Sequence, residues 1–319
     1  MTRVDRLDAV RSASVSSCDV SDLRTLLGHA APDRAVLSLP SRGFAYSKRQ
    51  GNRVPIRVSL STYLRCGLMC TVSFFPNSRG FYVAMNRDES LRRPVAALPE
   101  VHLSGGRFSV YPSEPSGGTW IGLNDSGLCF ALINWYAVPA RPESQPISRG
   151  IVVKTALTAR NIDESHSALS TLPLNRMPPF RVIAIAFQER AVTEFRWDQN
   201  VLLAQRKQWI ANHWFSSGLN ESTAQAKRAE VCLRERKRPD AGGLQWLREL
   251  HKSHLPEPGA FSICMHREDA GTVSYTEVVI EDRLGIMRYH PGPLCDGSAK
   301  LIESTIQLQN GVTTLTIRD

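Results

Sequence analysis

From residue 69 onward, short apolar runs alternate with turn residues. Thr71 to Pro76 and Gly80 to Asn86 are rich in Val, Phe and Tyr, which predicts two strands over 71–76 and 80–86. Residues 119–124 and 128–134 predict a second pair joined at Asp125-Ser126-Gly127, and the near-continuous apolar content of 128–133 predicts a strand covered on both faces. A Pro-rich crossing, Pro139 to Pro146, leads to a helix around 148–159 and a shorter one at 163–170. Arg181 to Phe187 and Ala191 to Trp197 read as a hairpin. A strongly charged helix follows over 222–236, with Ser222 as its N-cap, then another over 243–252. Strands at 261–265, 272–280 and 285–289 close the series. Residues 90–116 carry Pro94, Pro99, Pro112 and Pro115 and read as a loop-rich lid where substrate choice would be made. Pattern alone supports a chain of mixed α and β, and the order fits two packed sheets with helices outside.

Residues 1–68 break this pattern. They have no Trp and no sustained apolar period. They hold ten Arg and one Lys against five Asp and no Glu, a net +6, so most of the formal +9 lies there. That charge is scattered and not interleaved with aromatics, which argues against nucleic-acid binding. Three readings fit the segment: translation that begins at Met69, a pro-segment cleaved before Cys70, or a targeting peptide, against which the five Asp weigh. The expected division is an extension over 1–68, disordered or not native to the protein, a folded domain over 69–297, and a tail over 298–319. No apolar run approaches the roughly 18–20 residues of a membrane span.

The seven cysteines, at 18, 66, 70, 129, 232, 264 and 295, are odd in number and lack the spacing of a disulfide framework. That suits free thiols in a reducing compartment, hence a cytoplasmic location. Cys264-x-His266 and His251-x-x-His254 come nearest to metal-ligand spacing, and neither has a matching second half. There is no phosphate loop and no dinucleotide fingerprint. The expectation is therefore no metal and no cofactor. No pattern betrays an oligomeric interface.

The chemistry concentrates where the folded pattern begins. Met69-Cys70 opens the first strand, and the second ends in Asn86-Arg87-Asp88-Glu89. If Met69 and everything before it were removed, Cys70 would carry a thiol and a free α-amine. The amine titrates near ~7.7–8.0 and can act as general base for the thiol of its own residue. A second block, Gly117-Gly118-Thr119-Trp120-Ile121-Gly122, is followed by Asn134-Trp135, and a third, weaker one runs from His213 to Asn220.

These blocks resemble the NRDE family, also called the transport and Golgi organisation 2 family, over roughly 69–295. The resemblance implies an α+β fold, the four-layer αββα sandwich of the N-terminal-nucleophile (Ntn) hydrolases. It implies Cys70 as nucleophile, Asp88 accepting from the Cys70 α-amine, and Arg87 steadying the thiolate or binding an acyl carboxylate. It also implies Asn134 with the Trp135 backbone N–H as oxyanion donors. Asn86 would orient Asp88 or satisfy the turn, and Ser217 would stand where related cholylglycine and penicillin V acylases carry a second oxyanion Asn. Those acylases place an Arg where this chain has Met85, and their later catalytic Arg has no clear counterpart near Ser262, so their substrates do not carry over. Blander readings stand beside each role: Arg87 pairing with Asp88, Asn134 capping a strand exit, and His213 and His266 as structural histidines. Two functions remain open. One is a cysteine hydrolase cleaving a non-peptide C–N amide of a small molecule; the other is a non-catalytic lipid, acyl-CoA or haem-handling protein on the same scaffold.

Overall fold

The computed structural model describes residues 69–297 and 300–309, together with the backbone of a hairpin, β1 (Ala45–Arg49) antiparallel to β2 (Asn52–Ile56). The hairpin belongs to a unit spanning 1–60, separate from the unit that holds everything described below. The expected extension over 1–68 otherwise lies outside the described residues.

Two antiparallel sheets form the larger unit. The first comprises β3 (Cys70–Pro76), β4 (Gly80–Ser90), β12 (Asn212–Phe215), β13 (Ala270–Glu281), β14 (Leu284–His290) and β15 (Ile302–Gln307), ordered β12-β3-β4-β13-β14-β15. The second runs β11-β10-β9-β8-β7-β6-β5, built from β5 (Ala97–Ser104), β6 (Arg107–Ser113), β7 (Ile121–Asn124), β8 (Leu128–Asn134), β9 (Phe180–Ala186), β10 (Ala191–Trp197) and β11 (Leu202–Lys207). The inner strands of each sheet are buried on both faces, so they read as apolar runs more than as strict alternations, whereas the edge strands β5, β11 and β15 are largely exposed. Val72, Phe74, Phe81, Val83 and Met85 of one sheet meet Val110, Ile121, Leu123, Ala131 and Ile183 of the other in the central core.

Helices cover the outer faces. α1 (Gly150–Ala156) and α2 (Ile162–Ser170) lay Val152, Val153, Ala156 and Leu169 over Phe130, Phe180, Val182 and Phe195. α3 (Glu221–Glu235) and α4 (Leu244–Lys252) lay Val231, Trp246, Leu247 and Leu250 over Phe75, Ala84, Phe215 and Tyr275. The result is the αββα sandwich. The N-cap of α3 is Asn220, whose side chain accepts from the Thr223 N–H, two positions before the expected Ser222.

Three expectations need correction. The lid over 90–116 is largely a hairpin, β5 with β6, at the edge of the second sheet. Its prolines mislead because Pro99 and Pro112 fall where the register shifts between Ala97 and Glu100, on or beside an edge strand that tolerates a missing N–H. Residues 261–265 form no strand; turns and bends run there, with an isolated bridge from His266 to Gly271. The segment assigned to the tail supplies β15, which pairs with β14 from Tyr289↔Ile302 to Leu284↔Gln307. Its buried Ile306 and Leu308 fill the central core.

Candidate active site

β3 and β4 pair with Cys70 opposite Arg87 and Thr71 opposite Asn86. Cross-strand partners share a face, and successive residues alternate. Cys70, Arg87 and Glu89 therefore point between the sheets, and Asn86 and Asp88 point to the helix layer.

The inward set opens into a cavity of about 330 Å³ walled by Trp120, Leu132, Asn134, Ile147, Arg149 and Gly150 among others. The Gly117–Trp120 turn shapes one wall. Gly117 takes φ +81°, and a Cβ on Gly118 would stand 2.8 Å from the Gly150 Cα, so only glycine lets this turn meet the start of α1. The Thr119 N–H donates to the Gly150 carbonyl at 2.9 Å, and Trp120 is left beneath the Arg87 guanidinium, 4.3 Å from the ring centre. Arg87 is heavily engaged. It pairs with Glu114 and lies 3.5 Å from Glu89, and Arg93 bonds Glu114 at 2.7 Å from the solvent side.

The Cys70 thiol lies in this setting with its pKa pushed up to about 12, by burial first and then by the nearby Asp88 charge. The Asp88 backbone N–H and Arg87 oppose that rise without cancelling it. As an internal residue Cys70 is a protonated thiol at neutral pH, a poor nucleophile. Its main-chain N–H donates to Ser216 Oγ at 3.1 Å, and the Ser216 N–H returns a bond to the Cys70 carbonyl at 3.1 Å. Met69 is wholly buried, among Ala224, Met265 and Ala270.

The outward pair is held differently. Asp88, 1% exposed against 8% for Glu89, accepts from Arg228 at 3.2 Å and from the Thr272 hydroxyl at 2.7 Å. Burial raises its carboxyl to about 6 against the pull of both. No bond joins this carboxylate to the Cys70 nitrogen among those described, although Asp88 lines the same cavity. Asn86 donates to the His251 and Ile263 carbonyls, each at 2.9 Å, and meets His251 Nδ1 with its own oxygen at 3.0 Å. Asn86 thus pins α4 and the loop after it, and it is not among the cavity residues.

The remaining expected residues divide. Asn134 ends β8 in the cavity wall and donates to the Tyr136 hydroxyl at 2.7 Å, leaving its second amide proton for an oxyanion. The Trp135 N–H is turned to the Pro179 carbonyl at 3.4 Å, which removes it as the expected second donor. Ser217 is buried outside the cavity and accepts from the Leu219 and Asn220 N–H groups, so it shapes the turn into α3. His213 bonds Ser73, which also bonds His251, and burial lowers both imidazoles to about 3. His213 is therefore a neutral packing residue.

Two residues went unrecognised in the sequence. Ser216 was legible once β12 pairs with β3, because Phe215↔Thr71 places the next residue beside Cys70. Arg228, wholly buried, donates to Thr71 at 2.7 Å as well as to Asp88. It falls on the α3 stripe of Ala224, Val231 and Cys232, so a charge on that apolar face was the available signal.

Fold and site define an αββα sandwich with Cys70 at the start of β3, in the wall of a cavity. The family model described as Transport and Golgi organisation 2 matches residues 69–245, and the chain belongs to that family. No curated protein matches the sequence. Among solved structures, a mutant of the conjugated bile acid hydrolase from Clostridium perfringens is 8% identical, covers 74% of this chain and 92% of its own, and gives a TM-score of 0.47. A variant of the same enzyme is 9% identical, with 75% and 92% covered and a TM-score of 0.44. Penicillin V acylase from Agrobacterium tumefaciens is 9% identical, with 75% and 86% covered and a TM-score of 0.42. These are distant likenesses, and the substrates of those enzymes do not transfer with them. Among the described residues, no helix is long and apolar enough to cross a membrane.

Proposed function

We propose that the 69–297 domain, completed by β15, is a cysteine Ntn hydrolase acting on a C–N amide of a small molecule, active when the chain begins at Cys70. One observation carries this reading: the Cys70 sulfur faces the cavity while its main-chain nitrogen sits at the strand end against Ser216 Oγ. A free amine at that nitrogen would take the thiol proton, and the thiolate would attack the amide carbon. Asn134 Nδ2 would receive the developing oxyanion. Collapse would pass the proton from the α-ammonium to the leaving amine and leave a thioester on Cys70. Water, deprotonated by the same amine, would then release the carboxylic acid and restore the thiol. Arg87 would act on the substrate side, and Asp88, locked by Arg228 and Thr272, would position the strand end and take no proton.

The proposal places this hydrolase in the cytoplasm, a reducing compartment that suits the five described cysteines, all free thiols. A second reading has its own support. With residue 69 in place Cys70 has no amine and a thiol raised to about 12, and the cavity pairs apolar walls at Leu132 and Ile147 with Arg93 and Arg149. With Asp88, Glu89 and Glu114 balancing the arginines, that combination suits a non-catalytic carrier of a lipid-like ligand with a polar head.

The deciding experiment compares the full chain with a chain whose first residue is Cys70, verified by intact mass. Brief alkylation at neutral pH should label Cys70 well ahead of the buried Cys129 and Cys232 only in the second form. Cys70→Ser in that form should abolish amide hydrolysis, with a stability change below about 1.5 kcal/mol. Equal, slow labelling of all three sites in both forms would overturn the hydrolase reading in favour of the carrier.

A further inference from the structure

Behind the catalytic layer, His254, Cys264, His266 and Cys295 come together although 41 positions separate the first from the last. His254 follows the C-terminus of α4, Cys264 and His266 lie on the loop before β13, and Cys295 sits in a 3-10 turn after β14. One ligand atom from each lies within 4.8 Å of every other. Four of the six separations are 3.5 Å from Cys264 Sγ to Cys295 Sγ, 3.5 Å from Cys264 Sγ to His266 Nε2, 3.3 Å from Cys295 Sγ to His266 Nε2, and 3.1 Å from His254 Nε2 to His266 Nε2, and the two from His254 to the sulfurs are at most 4.8 Å.

A tetrahedral zinc has Zn–S near ~2.3 Å and Zn–N near ~2.0–2.1 Å. Elementary geometry then sets S···S at about 3.8 Å, S···N at about 3.6 Å and N···N at about 3.3 Å. These four separations each fall within about 0.3 Å of those values, and a bound ion would draw His254 toward the two sulfurs, from which it stands at most 4.8 Å away. A disulfide would need sulfurs about 2.05 Å apart, far closer than the 3.5 Å between Cys264 and Cys295. Two thiolates would neutralise a divalent ion, and the soft sulfur and imidazole set selects zinc over magnesium or calcium.

We propose that His254, Cys264, His266 and Cys295 form a structural zinc site of the Cys₂His₂ class. Binding releases two thiol protons to solvent and leaves no position for substrate. The site would bear on the candidate active site from behind. Met265, between two of the ligands, packs on Met69, and its N–H donates to Thr272 Oγ1 at 2.8 Å. The Thr272 hydroxyl in turn donates to Asp88. Zinc would therefore clamp α4, the loop before β13 and the turn after β14 into one brace for the end of β4. The site is independent of whether Cys70 is catalytic.

The test uses the full chain without a histidine tag, purified under reducing conditions in the absence of chelators. Elemental analysis should find one zinc per chain. After chelation, Co²⁺ should restore one equivalent of binding, with sulfur-to-cobalt charge-transfer bands and the intense visible absorption of a tetrahedral site. Cys295→Ser and His254→Ala, on the partly exposed side, should each weaken cobalt binding at least tenfold, and Cys232→Ser should not. Chelation should lower the Tm of the parent but not of a double variant that combines Cys295→Ser with His254→Ala. The proposal is overturned by folded, reduced protein that holds no zinc and gives no cobalt spectrum. A Cys264–Cys295 disulfide in unreduced protein, or metal binding untouched by both substitutions, would overturn it equally.

Discussion

Along β4, four consecutive residues of one motif serve two different layers. Arg87 and Glu89 face the cavity and belong to a group of charges that Glu114 and Arg93 complete from its rim. Asn86 and Asp88 face the helices and are enclosed by α3, α4 and the loop before β13. The period-two alternation of a strand compels the split. The inward pair keeps polar contact with whatever enters the cavity, whereas the outward pair is spent on joining strand to helix. A compact sequence motif thus does not imply a compact site.

The comparison predicts that the outward residues govern stability and the inward ones govern ligand chemistry. Its largest test is Arg228→Met against Arg87→Met. Arg228 is wholly buried, and its loss strands the Asp88 carboxylate with only Thr272, which should cost about 3–5 kcal/mol in urea unfolding. Removing Arg87 leaves Arg93 within 3.5 Å of Glu89 and bonded to Glu114, so the cost should stay near ~1.5 kcal/mol. Equal losses, or the reverse order, would break the distinction between the two faces.

A smaller effect separates two asparagines. Asn86→Ala unsatisfies the His251 and Ile263 carbonyls and His251 Nδ1 in a buried setting, which predicts a loss of about 2–3 kcal/mol. Asn134→Ala removes one bond to Tyr136 at the cavity wall and should cost about 1 kcal/mol or less. In a chain beginning at Cys70, the same Asn134→Ala should lower amide turnover by ~10²-fold or more. Chemical denaturation of both variants and turnover of the second decide the matter. An Asn134 variant that unfolds more readily than the Asn86 variant would assign the structural role to the wrong residue.

Much of the fold was legible because burial on both faces makes strands into apolar runs. Residues 128–134, 181–187 and 191–197 announced themselves that way. β5, β6 and β15 did not, because they lie at the edges of their sheets or beside them, where proline and polar residues are tolerated. Of the residues that the sequence blocks named for the candidate site, Cys70, Arg87 and Asn134 line one cavity, while Asn86 answers the local demand of two carbonyls and an imidazole. Ser217 and the Trp135 N–H were claimed by nearer backbone partners. Arg228 and the His254–Cys264–His266–Cys295 group depend on contacts between distant segments. The spacing showed only half of that group, Cys264-x-His266, because His251, the apparent partner of His254, turns inward to Ser73 and Asn86 and Cys295 comes from a separate turn.

The gentlest test follows protons. Burial holds His213 and His251 at about 3, below their ordinary 6.5, so between these values the unfolded chain binds protons that the folded chain refuses. Each imidazole therefore removes stability as pH falls below about 6.5. Asp88 acts in the opposite sense. Its folded value of about 6 lies above the ordinary 3.8, so between them the folded chain binds the extra proton and gains stability as pH falls. Two groups against one leave a net loss near ~1.4 kcal/mol per pH unit from these three between about pH 6 and 4. His213→Gln, which keeps a bond to Ser73 within reach, should nearly flatten the slope in that window. Urea midpoints at half-unit intervals would show this, and a slope unchanged in the variant would mean that His213 is not held neutral by the helix-side layer.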